Sequence, residues 1–214
     1  MLKLEWSSQF DDSRNEALEK NVLDMLQPHR SLKELTVKCY GGTVFPSWMG
    51  DPLFSNIVLL RLEDCEKCTS LPSLGLLGSL KNLTIKGMRR LKSIGFEIYG
   101  EGCSKPFQAL ETLCFEDLPE WEHWNSFKEN DHVERFACLR QLSIVKCPRL
   151  CGRLPNHLPV LEKLMIYECV QLVVSFSSLP LLCKLEIDRC KGVACSSPAD
   201  LMSINSMTFK YFRV

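Results

Sequence analysis

The sequence has no apolar run approaching the roughly 20 residues that span a bilayer. It also has no excess of charge, because 26 Lys and Arg balance 26 Asp and Glu over 214 residues. The first absence argues against a membrane-embedded chain. The second removes the broad basic field with which nucleic-acid binders hold phosphates. No secretory leader is expected either, since Glu5 and the polar residues of MLKLEWSSQFDD stand where its apolar stretch would lie. These features predict a soluble, unexported chain of the cytoplasm or nucleus, with no nucleic-acid or membrane partner.

Signatures of chemistry are equally scarce. The sequence contains no GxxxxGK(S/T) phosphate loop, no GxSxG elbow and no HExxH pair. The nearest approach, Gly100-x-Gly102-x-Ser104-Lys105, has the wrong spacing for a phosphate loop. His29, His123, His132 and His157 are dispersed, and none is spaced as a metal pair. A Ser-His-Asp triad can be assembled from distant positions, but nothing nominates one. Glu116, Asp117, Glu120 and Glu122 cluster beside Trp121 and Trp124. They read as a solvated acidic edge next to core aromatics rather than a glycosidase pair. The expectation is a protein that is not an enzyme and uses no cofactor or metal.

What is present is apolar residues, 45% of the chain, and twelve cysteines. The apolar content suffices for a sizeable core at this length. Without a leader the thiols are expected to be reduced, and their positions are more informative than their number. A spacing of two inward apolar residues, followed three positions later by Cys or another apolar residue, recurs along the chain. It appears as Leu60, Leu62, Cys65; Leu142, Ile144, Cys147; Leu164, Ile166, Cys169; and Leu185, Ile187, Cys190. Looser copies are Leu35, Val37, Tyr40; Leu83, Ile85, Met88; and Leu113, Phe115, Leu118. Leu4 with Trp6 opens the series, and Met207, Phe209, Phe212 closes it. Successive anchors are 21 to 31 residues apart.

This is leucine-rich-repeat spacing. Each Leu-x-Leu is a short strand whose alternate side chains point inward. One copy cannot bury its apolar face, so stacked copies share a core. The predicted fold is an α/β leucine-rich-repeat solenoid, curved like a horseshoe, with a parallel sheet on the concave face and irregular or short helical convex segments. The chain reads as a single domain, residues 1–214, of about nine repeats. Cys65, Cys147, Cys169 and Cys190 then sit in one buried column as structural thiols. Cys65-x-x-Cys68 has no second CxxC to complete a zinc site.

Two segments depart from simple coils. Residues 13–26 place Leu18, Val22 and Leu26 at helical spacing, with Ser13 and Glu16 as a capping box and Pro28 beyond the end. They predict a convex helical insertion. Residues 95–106, GFEIYGEGCSKP, read as a protruding loop. Asn82-Leu83-Thr84 is a glycosylation sequon, expected to be accidental in a chain read as unexported.

Residues flanking each buried pair face the concavity. The candidate partner-binding positions are Lys38, Leu59, Arg61, Glu63, Thr84, Lys86, Glu116, Ser143, Val145, Met165, Tyr167, Glu186 and Asp188. Lys3, Glu5 and Ser7 would belong to the same face in the first repeat. A mixed polar field with a few apolar anchors suits protein binding. A row of solvated residues has the same composition, so contact and solvation both stay open at any one position. Val145, Met165 and Tyr167 form the sharpest candidate patch, because three apolar groups together on a solvent face invite cover. Trp48, Trp121 and Trp124 fall on return segments and are expected in the convex-side core.

The repeat text also resembles one family. LQPHRSLKELTVKCYGGTVFPSWMGD at 26–51, LEDCEKCTSLPSLGLLGSLKNLTIKGMRRLKSIGFEIYG at 62–100 and FQALETLCFEDLPEWEHW at 107–124 are similar to plant intracellular immune receptors. These receptors carry a coiled coil, a nucleotide-binding domain and leucine-rich repeats. The resemblance covers roughly residues 16–190 and implies a piece of a larger receptor's repeat region. It also implies recognition of a pathogen effector or a guarded host protein, and restraint of the receptor's own nucleotide-binding domain. The alternative is a truncated or remnant repeat fragment without independent activity, or a repeat-only decoy or regulator.

Overall fold

Leu-x-Leu pairs separated by polar residues favour extended backbone with one buried face, and each becomes a strand of four or five residues. A computed structural model describes residues 1–7, 15–26, 28–125, 135–152, 154–155, 157–175, 179–194 and 206–210. In chain order the elements begin with β1 (Leu2–Glu5), α1 (Glu16–Met25), β2 (Glu34–Lys38), β3 (Leu59–Glu63), β4 (Asn82–Lys86) and β5 (Ser93–Ile94). Next come β6 (Thr112–Glu116), β7 (His123–Trp124), β8 (Gln141–Val145) and β9 (Lys163–Tyr167). The last are β10 (Val173–Ser175), β11 (Lys184–Asp188), β12 (Gly192–Ala194) and β13 (Ser206–Lys210). Nine of them form one parallel sheet in the order β1-β2-β3-β4-β6-β8-β9-β11-β13. β5 with β7, and β10 with β12, make two short side ladders.

The register stacks like on like. Leu35, Leu60, Leu83, Leu113, Leu142, Leu164 and Leu185 form one inward column. Val37, Leu62, Ile85, Phe115, Ile144, Ile166 and Ile187 form the second, and all fourteen side chains are buried. Burying such a side chain fully stabilises by about 1.5–3 kcal/mol against exposure. The core is therefore a continuous stack of two apolar columns that no single coil could make.

The first strand differs from the sequence reading. Leu2 pairs with Leu35 and Leu4 with Val37, so the inward pair is Leu2 and Leu4 rather than Leu4 and Trp6. This register keeps aliphatic on aliphatic in both columns. The Trp6 amide donates to the Lys38 carbonyl at 3.0 Å, and the indole packs on Tyr40 with ring centroids 5.3 Å apart. Ser7 consequently lies past the strand, while Lys3 and Glu5 keep outward positions opposite Thr36 and Lys38.

A turn follows each strand, and its first residue is left-handed in seven coils. Cys39, Asp64, Gly87, Asp117, Lys146, Glu168 and Arg189 all have positive φ, between 53° and 67°. Each of the first six amides donates to the last strand carbonyl of the next coil, as in Cys39 to Glu63 (2.9 Å), Asp64 to Lys86 (2.8 Å) and Lys146 to Tyr167 (2.9 Å). The conformation costs an L-residue about 1–2 kcal/mol, and this extension of the sheet ladder offsets it.

The thiol column sits one residue further on. Cys65 donates to Val37 O (3.8 Å), Cys169 to Ile144 O (3.7 Å) and Cys190 to Ile166 O (3.8 Å), each on the preceding coil. Cys68 is fully buried and donates to Gly42 O at 3.1 Å. Burial pushes the Cys65 and Cys190 thiols up to about 12, so they stay protonated.

Return segments close the convex side with aromatics. Trp48, Trp121 and Trp124 are all buried. Phe115 lies 4.8 Å from Trp121 between ring centroids, and Phe107 stacks on Phe136 at 5.6 Å. Trp124 Nε1 donates to the Tyr99 hydroxyl at 3.0 Å. Within 95–106, Ile98, Tyr99 and Pro106 are buried, and the exposed part narrows to Glu97 and the 101–105 turn.

α1 turns a different face inward from the one its apolar spacing suggests. Leu23 is buried, whereas Leu18 and Val22 are exposed. Two polar contacts fix this rotation: Glu19 accepts from the Gly41 amide at 2.7 Å, and Trp48 Nε1 donates to Leu23 O at 2.9 Å. The N-cap is Asn15, whose side chain accepts from the Leu18 amide at 3.1 Å. Glu16 opens the helix and is ion-paired with Lys67 at 2.7 Å. Ser13 and Phe212 lie outside the described residues.

Candidate functional site

Five-residue strands with two inward side chains leave three outward, so the concave face is ruled into three rows. The first row contains Glu34, Leu59, Asn82, Thr112, Gln141, Lys163 and Lys184. The middle row runs Lys3, Thr36, Arg61, Thr84, Cys114, Ser143, Met165, Glu186, Thr208. Its side chains are mostly short, and Arg61 is exposed between Thr36 and Thr84.

The third row has an order that sequence reading missed. It runs Glu5, Lys38, Glu63, Lys86, Glu116, Val145, Tyr167, Asp188. Charge alternates across the first five coils. Laterally paired opposite charges on neighbouring strands stabilise a sheet, whereas like charges there oppose it. Lys86 and Glu116 make the pair directly at 2.7 Å, which raises the Lys86 ammonium above its ordinary value. Lys38 also approaches Asp64 at 4.0 Å, and Lys3 holds Glu5 at 2.5 Å. The signal was present in residue identities but becomes readable only once the register is known.

The alternation stops at Val145 and Tyr167, which lie opposite one another on β8 and β9. Met165 stands two residues before Tyr167 on the same face, with Ser143 on one side and Glu186 on the other. Val145, Met165 and Tyr167 are all half-buried, so the patch is a shallow apolar floor rather than a set of protruding knobs. The Tyr167 hydroxyl donates to the Glu186 carboxylate. Burial, then that carboxylate, pushes the phenol up to about 12. Lys184, then Tyr167, hold Glu186 below the ordinary carboxylate range. The structure thus gathers Ser143, Val145, Met165, Tyr167, Glu186 and Asp188 into one neighbourhood. Lys38, Leu59, Arg61, Glu63, Thr84, Lys86 and Glu116 lie on the coils before it.

Other places for chemistry are limited. Among the described residues no group of three His, Cys, Asp or Glu is arranged to hold a metal, and no helix is long and apolar enough to cross a membrane. A convex cavity of about 560 Å³ lies against the 101–105 turn, lined by Tyr99, Gly100, Cys103 and Arg135 among others. The buried Arg135 guanidinium sits 5.0 Å from the centre of the Tyr99 ring. Glu97 and Glu101 share the cavity wall, so its charge is mixed.

Comparison with known proteins gives this face its context. A family model described as R13L1/DRL21 leucine-rich repeats matches residues 1–88. The chain is 44% identical over 157 residues to disease resistance RPP13-like protein 1 of Arabidopsis thaliana, covering 71% of this chain and 15% of that relative. It is 38% identical over 160 residues to another Arabidopsis thaliana disease resistance protein, covering 73% of this chain and 11% of that one. With disease resistance protein RGA2 of Solanum bulbocastanum the identity is 27% over 217 residues, 100% of this chain and 20% of the relative. The chain therefore spans only 11 to 20% of the length of these relatives. No solved structure matches. Repeat spacing, the nine-strand parallel sheet and these relatives together make the chain a leucine-rich-repeat region of the plant nucleotide-binding, leucine-rich-repeat disease-resistance family.

Proposed function

We propose that this repeat region is a non-enzymatic protein-recognition module in plant innate immunity, working in the cytoplasm by surface complementarity without a chemical step. It senses a pathogen effector or a guarded host protein and restrains the nucleotide-binding switch domain of its receptor. The observation that carries this reading is the break in the third concave row. Where Glu5 to Glu116 alternate in charge, Val145 and Tyr167 with neighbouring Met165 present apolar surface. Half-buried aromatic and aliphatic groups ringed by Ser143, Glu186 and Asp188 have the make-up of an interface core with a polar rim.

The test uses the whole receptor carrying this region. Met165→Asp and Tyr167→Ala are expected to abolish the resistance response to effectors that trigger it in the wild type, with protein abundance unchanged. A full response from both variants would show that recognition lies elsewhere. Restraint is tested in the same variants by effector-independent cell death, which rises if this face also contacts the switch domain.

A further inference from the structure

The convex side holds a thiol and an imidazole that the recognition reading does not use. β7 extends its ladder through an isolated parallel bridge between His123 and Cys151. The two side chains project together from it, with Cys151 Sγ 3.5 Å from His123 Nδ1. The frame is rigid. Cys151 N donates to Glu122 O at 3.0 Å, and Trp121 Nε1 to His123 O at 3.0 Å. Trp121 and Trp124, both buried, anchor the backbone on either side of His123. Arg149 pairs with Glu120 and lies 3.9 Å from Glu122, tying the cysteine's segment to the histidine's.

The remaining cysteines are placed differently. Cys39, Cys65, Cys68, Cys147 and Cys169 are buried. Cys114 is half-buried, and burial raises its thiol. The exposed Cys183 donates to the Glu162 carbonyl at 3.2 Å, much as Cys151 Sγ reaches the Glu122 carbonyl at 3.3 Å, so carbonyl contact does not separate the two and the imidazole does. Among the described residues only Cys151 combines partial exposure with a ring nitrogen in contact. A thiol reacts as its thiolate, and an adjacent base that can accept the proton is the usual means of activating one.

We infer that Cys151 is a covalent modification site for soft electrophiles of the α,β-unsaturated carbonyl class, with His123 as its base. Nδ1 of the tautomer protonated at Nε2 takes the thiol proton. The sulfur electron pair then forms the S–C bond at the β-carbon, the C=C π bond breaks towards the carbonyl, and the His123 imidazolium returns its proton, directly or through water, to the α-carbon of the enolate. The product is a thioether, and no oxidant or second thiol is consumed. The residues involved lie away from the concave rows, so this site stands independently of the recognition reading.

The experiment is substoichiometric labelling of the folded chain with N-ethylmaleimide, quantified for each cysteine by peptide mass spectrometry. Cys151 is expected to label faster than the more exposed Cys138 and Cys183. In His123→Gln its rate should fall at least tenfold, while Cys138 and Cys183 keep theirs and report an intact fold. A labelling order that simply follows exposure would overturn the site. Fast labelling of Cys151 that persists in His123→Gln would overturn the role of the imidazole.

Discussion

The Tyr167 hydroxyl reaches diagonally to Glu186, although the residue directly opposite it across the strands is Asp188. The diagonal lays the phenol ring towards the middle row, beside Met165, and leaves the Asp188 carboxylate at the rim. The hydrogen bond therefore positions the aromatic part of the candidate patch as well as linking two strands.

This bond sets a pH dependence. Tyr167 has a folded value raised to about 12, against about 10 in an unfolded chain. Its stabilisation is present in full below about pH 10 and is lost as the pH rises through 12. Glu186 is shifted the opposite way, so its contribution is present above about 4.3 and is lost as the pH falls below that. Urea unfolding from pH 9 to 12 should show a decline in stability that is smaller in Tyr167→Phe. Equal declines would mean that the phenol is not held protonated by the fold.

The left-handed turn positions predict a contrast in sign. At Gly87 an added Cβ would lie 2.3 Å from Asp64 Oδ1 and 3.1 Å from Asp64 Cα, and φ is +67°. Gly87→Ala should cost about 1–2 kcal/mol. Lys146 occupies the equivalent turn at φ +55°, and Lys146→Gly should be neutral or stabilising by up to about 1 kcal/mol. Denaturant midpoints at constant m-value distinguish the two.

Neighbouring thiols in the buried column should not act independently. The neighbouring Cys169 thiol, then burial, hold the Cys147 proton in place. Each single Ala variant should lose about 1–2 kcal/mol, because it leaves a cavity beside the other thiol. The double variant should lose less than the sum, with a coupling of about 0.5–1 kcal/mol in a double-mutant cycle. Strict additivity would show that the two thiols do not interact.

The convex aromatic cluster should be costly to open. Trp121 is fully buried against Phe115 and Trp124, so Trp121→Ala should remove about 3–5 kcal/mol. Trp124→Phe keeps most of the packing but leaves the Tyr99 hydroxyl without its donor, at a cost of about 1 kcal/mol. Thermal unfolding of both variants gives the ranking directly.

The two inward columns were readable because Leu-x-Leu forces alternate burial whatever surrounds it. Trp6 was misplaced because Leu2-x-Leu4 and Leu4-x-Trp6 both fit that pattern, and only the amide bond to Lys38 decides between them. α1 was rotated wrongly for a related reason. Its apolar residues suggest one face, but the Glu19 and Trp48 contacts, made to distant coils, select another. Left-handed turns at Cys39, Asp64, Lys146 and Arg189 carry no glycine to announce them. The charge order of the third row and the meeting of His123 with Cys151 both depend on register between coils, which spacing along one coil does not contain.

The repeated turn bond has a consequence for how such a chain can change over generations. From Cys39 to Glu168 each coil hands its amide proton to the carbonyl at the same place in the next, so most junctions are chemically alike. Duplication or loss of one whole coil therefore rejoins two compatible ends, and the concave rows resume in step. The length of the proposed recognition surface can drift by unequal exchange, while its outward residues are rewritten one at a time.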